Sequence, residues 1–192
     1  NTTSYNYDTE GNQISITDAK NQTTSYQYDT LNRLIKEITA LGNETAYAYD
    51  AVGNRIESRD AKGNVISRSF DNRNLITDVV YPDNSSVSFE YDSLGRRISM
   101  TDQHGTTLYS YDAVGRLLLV DGPNSDDTIE YMYDAVGNRV QMIDQEGGIT
   151  QYNYDELNRL VSIVDPQNNA TQYSYDAVSN LVQVEYPNRS EE

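Results

Sequence analysis

The sequence has no cysteine and no tryptophan, and among its 192 residues there are only one histidine, two phenylalanines and four prolines. Without cysteine it can form neither a disulfide framework nor a thiolate metal site. A lone histidine, His104, offers no second imidazole for a zinc site and no His-based catalytic constellation. Long apolar runs are also missing, and none approaches the ~20 residues of a membrane-crossing helix. Basic residues are scarce: 14 Lys and Arg stand against 30 Asp and Glu, for a net charge of −16. A surface of that sign repels phosphate backbones and anionic bilayers, so neither nucleic-acid binding nor membrane insertion is expected. The N-terminus, Asn1-Thr2-Thr3-Ser4-Tyr5, lacks an initiator Met, a basic stretch and an apolar stretch, and opens inside a repeated unit. The chain is therefore expected to be a fragment of a longer parent.

What is abundant is tyrosine, with seventeen copies. A tyrosine buries a ring but keeps a hydroxyl that seeks a partner, which suits a half-wet surface better than a dry core. An aromatic-Asp dipeptide occurs nine times, as Tyr7-Asp8, Tyr28-Asp29, Tyr49-Asp50, Phe70-Asp71, Tyr91-Asp92, Tyr111-Asp112, Tyr133-Asp134, Tyr154-Asp155 and Tyr175-Asp176. The successive spacings are 21, 21, 21, 21, 20, 22, 21 and 21 residues. Self-similarity at a fixed period of this length marks a repeat architecture. No break in composition interrupts the series, so residues 1–192 are expected to form a single array of about nine repeats without a separate catalytic domain.

Each unit carries two turn signals. One starts at the dipeptide, as in Asp50 to Gly53, Asp92 to Gly95 and Asp155 to Asn158; the other lies half a repeat later, in Asp18 to Asn21, Asp60 to Gly63, Asp102 to Gly105, Asp144 to Gly147 and Asp165 to Asn168. Asp suits the first position because its carboxylate accepts backbone N–H groups two residues on, and Gly or Asn suits the last because φ is positive there. The intervening segments of about six residues alternate with period two, as strands do. Two residues before the dipeptide aromatic stands another aromatic in eight of nine units, with Arg68 the exception, and a β-branched residue stands four before it in every unit. Seven residues after it come Ile14, Ile35, Ile56, Thr77, Ile98, Leu118, Val140, Val161 and Val182. No window shows a helical period. The fold expected is all-β, an antiparallel meander of tandem ~21-residue hairpins with about eighteen strands. Twisted sheets of that many strands curl, so a rolled or spiral sheet, a partial shell, is expected. Because 21 is odd and side chains alternate faces, one turn per unit must carry a bulge of the Gly-in-αL kind to return the tyrosines to the same face.

The nine Tyr-Asp-x-x-Gly-Asn/Arg units, each preceded by an x-Thr-x-Tyr-x-Tyr-Asp strand, resemble the Rhs/YD-repeat family along nearly the whole chain. That family includes bacterial Rhs polymorphic toxins, the B and C shell components of insecticidal ABC toxin complexes, and the teneurins. The resemblance implies a long antiparallel sheet wound into a hollow shell that encloses a C-terminal effector in the toxin members. It also implies a secreted or cell-surface location. The autoproteolytic aspartate centre and toxin of those members have no counterpart here, since Asp165-Pro166 is an isolated dipeptide in an ordinary turn slot. Enclosure is therefore expected of the parent protein.

No residue is assigned a catalytic, cofactor or metal role. His104 lies in the turn Asp102-Gln103-His104-Gly105 and is best read as an exposed turn residue. The repeated aspartates lack the alternating oxygen ligands and bidentate Glu of a calcium loop, so they are read as turn caps, for which Asn would be a near-silent replacement. Asp121, Asp126 and Asp127 read as a solvated loop. The sequons at Asn1, Asn21, Asn43, Asn84, Asn169 and Asn188 follow from an Asn- and Thr-rich composition. The function expected is structural and not enzymatic: a sheet wall that encloses or displays an effector. Its partners would be other segments of the parent chain, or neighbouring copies joined through edge strands. Two rivals are a self-assembling fibre or adhesive filament and a carbohydrate-binding surface that uses the tyrosine columns for glycans.

Overall fold

A computed structural model of the chain describes residues 2–124 and 126–187. The sequons at Asn1 and Asn188, and Ser125 of the acidic loop, lie outside the described residues. Eighteen β-strands and no helix are found among them. Contacts divide the chain into two units, one of residues 1–90 with 101–103 and the other of residues 91–100 with 104–192.

In the first unit, β1 (Ser4–Tyr7), β2 (Gln13–Thr17), β3 (Thr23–Tyr28), β4 (Leu34–Ile38), β5 (Glu44–Tyr49), β6 (Arg55–Arg59), β7 (Val65–Phe70), β8 (Ile76–Val80) and β9 (Ser86–Tyr91) follow one another. Each pairs antiparallel with the next. The end of β9, Tyr91, falls in the second unit, and the strand β10 (Arg97–Asp102) has residues in both. In the second unit, β11 (Gly105–Tyr111), β12 (Leu117–Asp121), β13 (Thr128–Tyr133), β14 (Arg139–Ile143), β15 (Ile149–Tyr154), β16 (Leu160–Val164), β17 (Ala170–Tyr175) and β18 (Leu181–Glu185) form the same meander. The all-β antiparallel meander of tandem hairpins is thus the observed fold.

The register explains the odd period. Both turn types close the same way. Asp8 N–H donates to the Asn12 carbonyl and Gly11 N–H to the Asp8 carbonyl, and half a repeat later Asp18 N–H donates to Gln22 and Asn21 N–H to Asp18. Positive φ occurs at the end of both, for example at Gly11 (88°) and Asn21 (60°). Left-handed residues therefore contribute equally to the two turns and cannot supply the one-residue difference. It comes instead from a bulge just beyond the dipeptide turn. Asn6 faces Ser15 but Tyr7 faces Gln13, leaving Ile14 without a partner of its own. The same shift falls at Gln27/Tyr28, Ala48/Tyr49, Ser69/Phe70, Ser110/Tyr111, Met132/Tyr133, Asn153/Tyr154 and Ser174/Tyr175. The extra residue is each time the aliphatic or Thr seven after the aromatic. One bulge per unit was required; its place is on the strand and not at the αL turn residue.

In several hairpins the register sets an aromatic against an aliphatic, and then the aliphatic against a β-branched residue, as where Tyr152 faces Ile163, which faces Thr171; elsewhere Tyr26 faces Glu37, Tyr47 faces Ser58 and Arg68 faces Val79. Such cross-strand contacts are what stabilise a sheet. No hydrophobic side chain among the described residues is fully buried, and the one buried residue of any kind is Ser99 at 8% exposure. Most tyrosines are half-buried, while Tyr5, Tyr7, Tyr81 and Tyr186 are exposed.

Candidate functional site

The eighteen residues of the nine dipeptides sit in equivalent places, the aromatic at the end of a strand and the Asp at the first position of the following turn. Within the turn, Asp29 Oδ1 accepts the N–H groups of Leu31 (2.9 Å) and Arg33 (3.0 Å), while Oδ2 accepts Arg33 Nε (2.8 Å). Asp134 Oδ1 accepts from Val136 (3.1 Å), Gly137 (2.8 Å) and Asn138 (2.8 Å), and its Oδ2 accepts Asn138 Nδ2 (2.9 Å). Asp8, Asp50, Asp112, Asp155 and Asp176 repeat one pattern or the other. These carboxylates cap turns, as bonds to a charged acceptor do well. Such bonds favour the ionised form. The Arg33 side chain, then its amide, holds Asp29 below the ordinary carboxylate pKa. At Asp134 desolvation is the largest single influence and opposes ionisation, but the Asn138, Gly137 and Val136 donors together outweigh it and the pKa is lowered.

The aromatic partner joins one repeat to the one before. The hydroxyls of Tyr28, Tyr49, Tyr111, Tyr133, Tyr154 and Tyr175 donate to the carbonyls of Gln13, Leu34, Arg97, Leu117, Arg139 and Leu160, at 2.8–3.1 Å. Each acceptor lies five residues after the preceding repeat's Asp. The phenol therefore bridges two hairpins that the main chain alone would join only through ladder bonds.

A second connection runs along the turns, and sequence reading missed it. Four residues after each Asp stands Asn, Arg or, once, Leu75. Where it is Arg, the guanidinium reaches into the next turn: Arg33 Nη1 donates to the Asp50 carbonyl (3.1 Å), Arg96 to Asp112 (3.2 Å), Arg116 to Asp134 (3.0 Å) and Arg159 to Asp176 (3.3 Å). The same guanidiniums lie over the rings of Tyr49, Tyr111, Tyr133 and Tyr175 at 4.7–4.8 Å, within cation–π range. Where it is Asn, its amide donates to an Asn side chain in the next turn: Asn12 to Asn32 (2.9 Å), Asn54 to Asn74 (3.0 Å) and Asn138 to Asn158 (3.0 Å). The accepting position is the left-handed one. It is Asn after an Asn turn, and Gly53, Gly115, Gly137 or Ser179 after an Arg turn. What asks for glycine at Gly115 and Gly137 is the backbone, with φ of 92° and 105°, since a Cβ there would only touch the arriving Nη1 at 3.7–3.8 Å. The signal was present in the sequence as a correlation between neighbouring units, not within one.

The remaining candidates are unremarkable chemically. His104 is exposed in its turn. In the acidic loop Asp121 Oδ1 accepts Thr128 Oγ1 (3.1 Å) and Asp127 accepts Asn124 Nδ2 (2.6 Å). Asp165 caps an ordinary turn through the Gln167 and Asn169 amides, with Pro166 at the position that favours proline. No group of three His, Cys, Asp or Glu side chains suited to a metal is found among the described residues.

A meander of similar hairpins, most of them stitched to a neighbour by a phenol or a turn contact, defines a repeat-built sheet protein. The RHS repeat family model matches residues 7–44, 28–65, 70–107, 133–170 and 154–191, and the chain belongs to that family. Its fold is similar to a crystal structure of TcdB2-TccC3, with 17% sequence identity and a TM-score of 0.56 over 96% of this chain and 12% of that one. It is also similar to the Photorhabdus luminescens Tc holotoxin pore with a mutated TccC3, at 14% identity and a TM-score of 0.59 over 96% of this chain and 13% of the other. The chain thus spans about an eighth of the length of these structures. No curated protein matches the sequence.

Proposed function

We propose that this chain is a wall segment, a run of RHS repeats that extends a sheet within a larger secreted or surface assembly of the toxin-complex kind, where the sheet encloses or displays an effector domain. The observation that carries this reading is the use made of the motif. Both carboxylate oxygens of the capping aspartates, six of the dipeptide phenols and the Arg or Asn at the turn ends are engaged in holding a repeat to itself or to its neighbour. Groups committed in this way give tensile continuity and leave no poised acid, base or nucleophile, so the proposed role is mechanical and not enzymatic. The half-wet tyrosine face supports a lining that touches water or cargo without sealing onto it. Similarity to pieces of a toxin complex and a holotoxin pore supports that setting.

The test uses the full-length protein that contains this chain. With the repeats intact, a flanking effector domain should resist protease that digests the same domain expressed alone. Equal digestion in both settings refutes enclosure. Filaments of the purified chain under the electron microscope would favour the fibre, and saturable glycan binding lost on truncating Tyr152 and Tyr173 would favour the carbohydrate-binding surface.

A further inference from the structure

In the second unit the dipeptide turns end in an unbroken apolar row. Two residues after each Asp stand Leu94, Val114, Val136, Leu157 and Val178, with relative exposures of 75, 78, 71, 66 and 78%. In the first unit the same position is interrupted by Glu10 and Arg73. The opposite rim of the second unit, at the half-repeat turns, carries Glu146 and Gln167 there. The first unit has only Leu31 and Val52 at that position on this rim, so the unbroken row of five belongs to the second unit, and turn tips are where polar side chains are ordinarily expected.

We infer that this rim is a self-association surface, whose occupant is the same rim of a second copy of this chain. The first argument is period. Neighbouring tips are two strands apart, roughly 10 Å at ~4.8 Å per strand. A second copy presents the same spacing, so about a two-fold axis at Val136 every tip meets another: Val136 meets itself, Val114 meets Leu157 and Leu94 meets Val178. The second argument is area. Five such side chains expose on the order of 100 Å² each, so two rims would remove about 1,000 Å² from water, the lower bound of a specific interface and fit for a weak one. The third is charge. The chain carries −16 in all, which opposes face-to-face contact, whereas the five tip pairs Ser93-Leu94, Ala113-Val114, Ala135-Val136, Glu156-Leu157 and Ala177-Val178 contain one charged residue. Glu156 would lie opposite Ala113 and Val114, where no second acid stands. An added β-strand is excluded at this rim because its turn amides are already bonded to the aspartates and to the closing carbonyls.

The chain lacks cysteine, so single-cysteine variants give a clean readout. Under mild oxidation Val136→Cys should form a disulfide dimer at least ten-fold faster than Gln167→Cys on the other rim. Sedimentation should show reversible dimerisation of the unmodified chain, with Val136→Asp raising the concentration of half-association at least ten-fold because two carboxylates then meet on the axis. Both sites are exposed, so unchanged circular dichroism verifies that the variants fold. A monomer at all concentrations, equal oxidation rates at 136 and 167, or a dimer indifferent to Val136→Asp, as pairing through β1 or β18 would give, overturns the inference.

Discussion

At the scale of single residues, the repeat aspartate does more than cap. Asp134 Oδ2 accepts the Asn138 amide, and that same Nδ2 donates onward to Asn158. An Asn at 134 keeps the backbone bonds through its carbonyl oxygen but turns an NH2 toward an NH2, so either the turn contact or the link to Asn158 is lost. The silent exchange expected from turn chemistry alone is therefore revised. Thermal melts should order wild type above Asp134→Asn and Asp134→Ala lowest, with EDTA moving none of them. A chelator effect would reveal a metal role instead. Phe70 offers the reverse experiment. It is the one dipeptide aromatic without a hydroxyl, so the Arg55 carbonyl, equivalent to the acceptor in six other repeats, receives no phenol. Phe70→Tyr should stabilise by up to about 1 kcal/mol, the net value of one hydrogen bond, read from the denaturant midpoint at unchanged slope. A midpoint that does not rise would deny the phenol bridge its stabilising role.

At the scale of the element, the sequence makes the hairpins legible because three independent signals coincide every 21 residues: alternation from Thr24 to Tyr28, Asp with a following αL residue at the turn, and the same again half a unit later. Local chemistry specifies those features, so they survive without tertiary information. The bulge at Ile14 was legible only as a necessity of the odd count; its position depends on which cross-strand pair yields, and no residue type marks that. The turn-to-turn contacts were illegible within a single unit because they couple residues about 20 apart, as Asn12 to Asn32 does. They make a specific claim about compatibility of neighbours. Gly137→Asn alone should destabilise, since φ is 105° there and the longer Asn side chain must share its turn tip with the guanidinium of Arg116. Arg116→Asn alone loses the bond to the Asp134 carbonyl and the Tyr133 stacking. Together they recreate the Asn–Asn contact of Asn138 and Asn158, so the double variant should be more stable than the sum of the two losses by about 1 kcal/mol. Strict additivity would mean the turn contacts are incidental.

At the scale of the whole molecule, two electrostatic tendencies oppose each other and their balance fixes the response to pH and salt. All nine dipeptide aspartates titrate below their ordinary value. The unfolded chain then binds more protons than the folded one between the two pKa ranges. The stabilisation from these groups is complete above the unfolded value and is lost as pH falls through the folded values, below the ordinary 3.8. The general excess of acid pulls the other way. With 30 acidic against 14 basic residues and a pI near 4.2, the chain at pH 7 carries a net negative charge whose self-repulsion opposes the folded state. The melting temperature should therefore stay nearly level from pH 7 to about pH 5 and then drop steeply as the capping aspartates protonate. Salt tests the same balance. At pH 7 it screens repulsion between exposed charges farther apart than the ~8–10 Å screening length more than it weakens half-buried pairs such as Arg159 with Asp155 at 2.7 Å, so raising the ionic strength should raise the melting temperature. Near the pI the repulsion is gone, and the same salt should have little effect or a slightly negative one. A melting temperature that falls steadily from pH 7 to 5, or that salt lowers at pH 7, would show that local ion pairs and not the net charge govern the sheet.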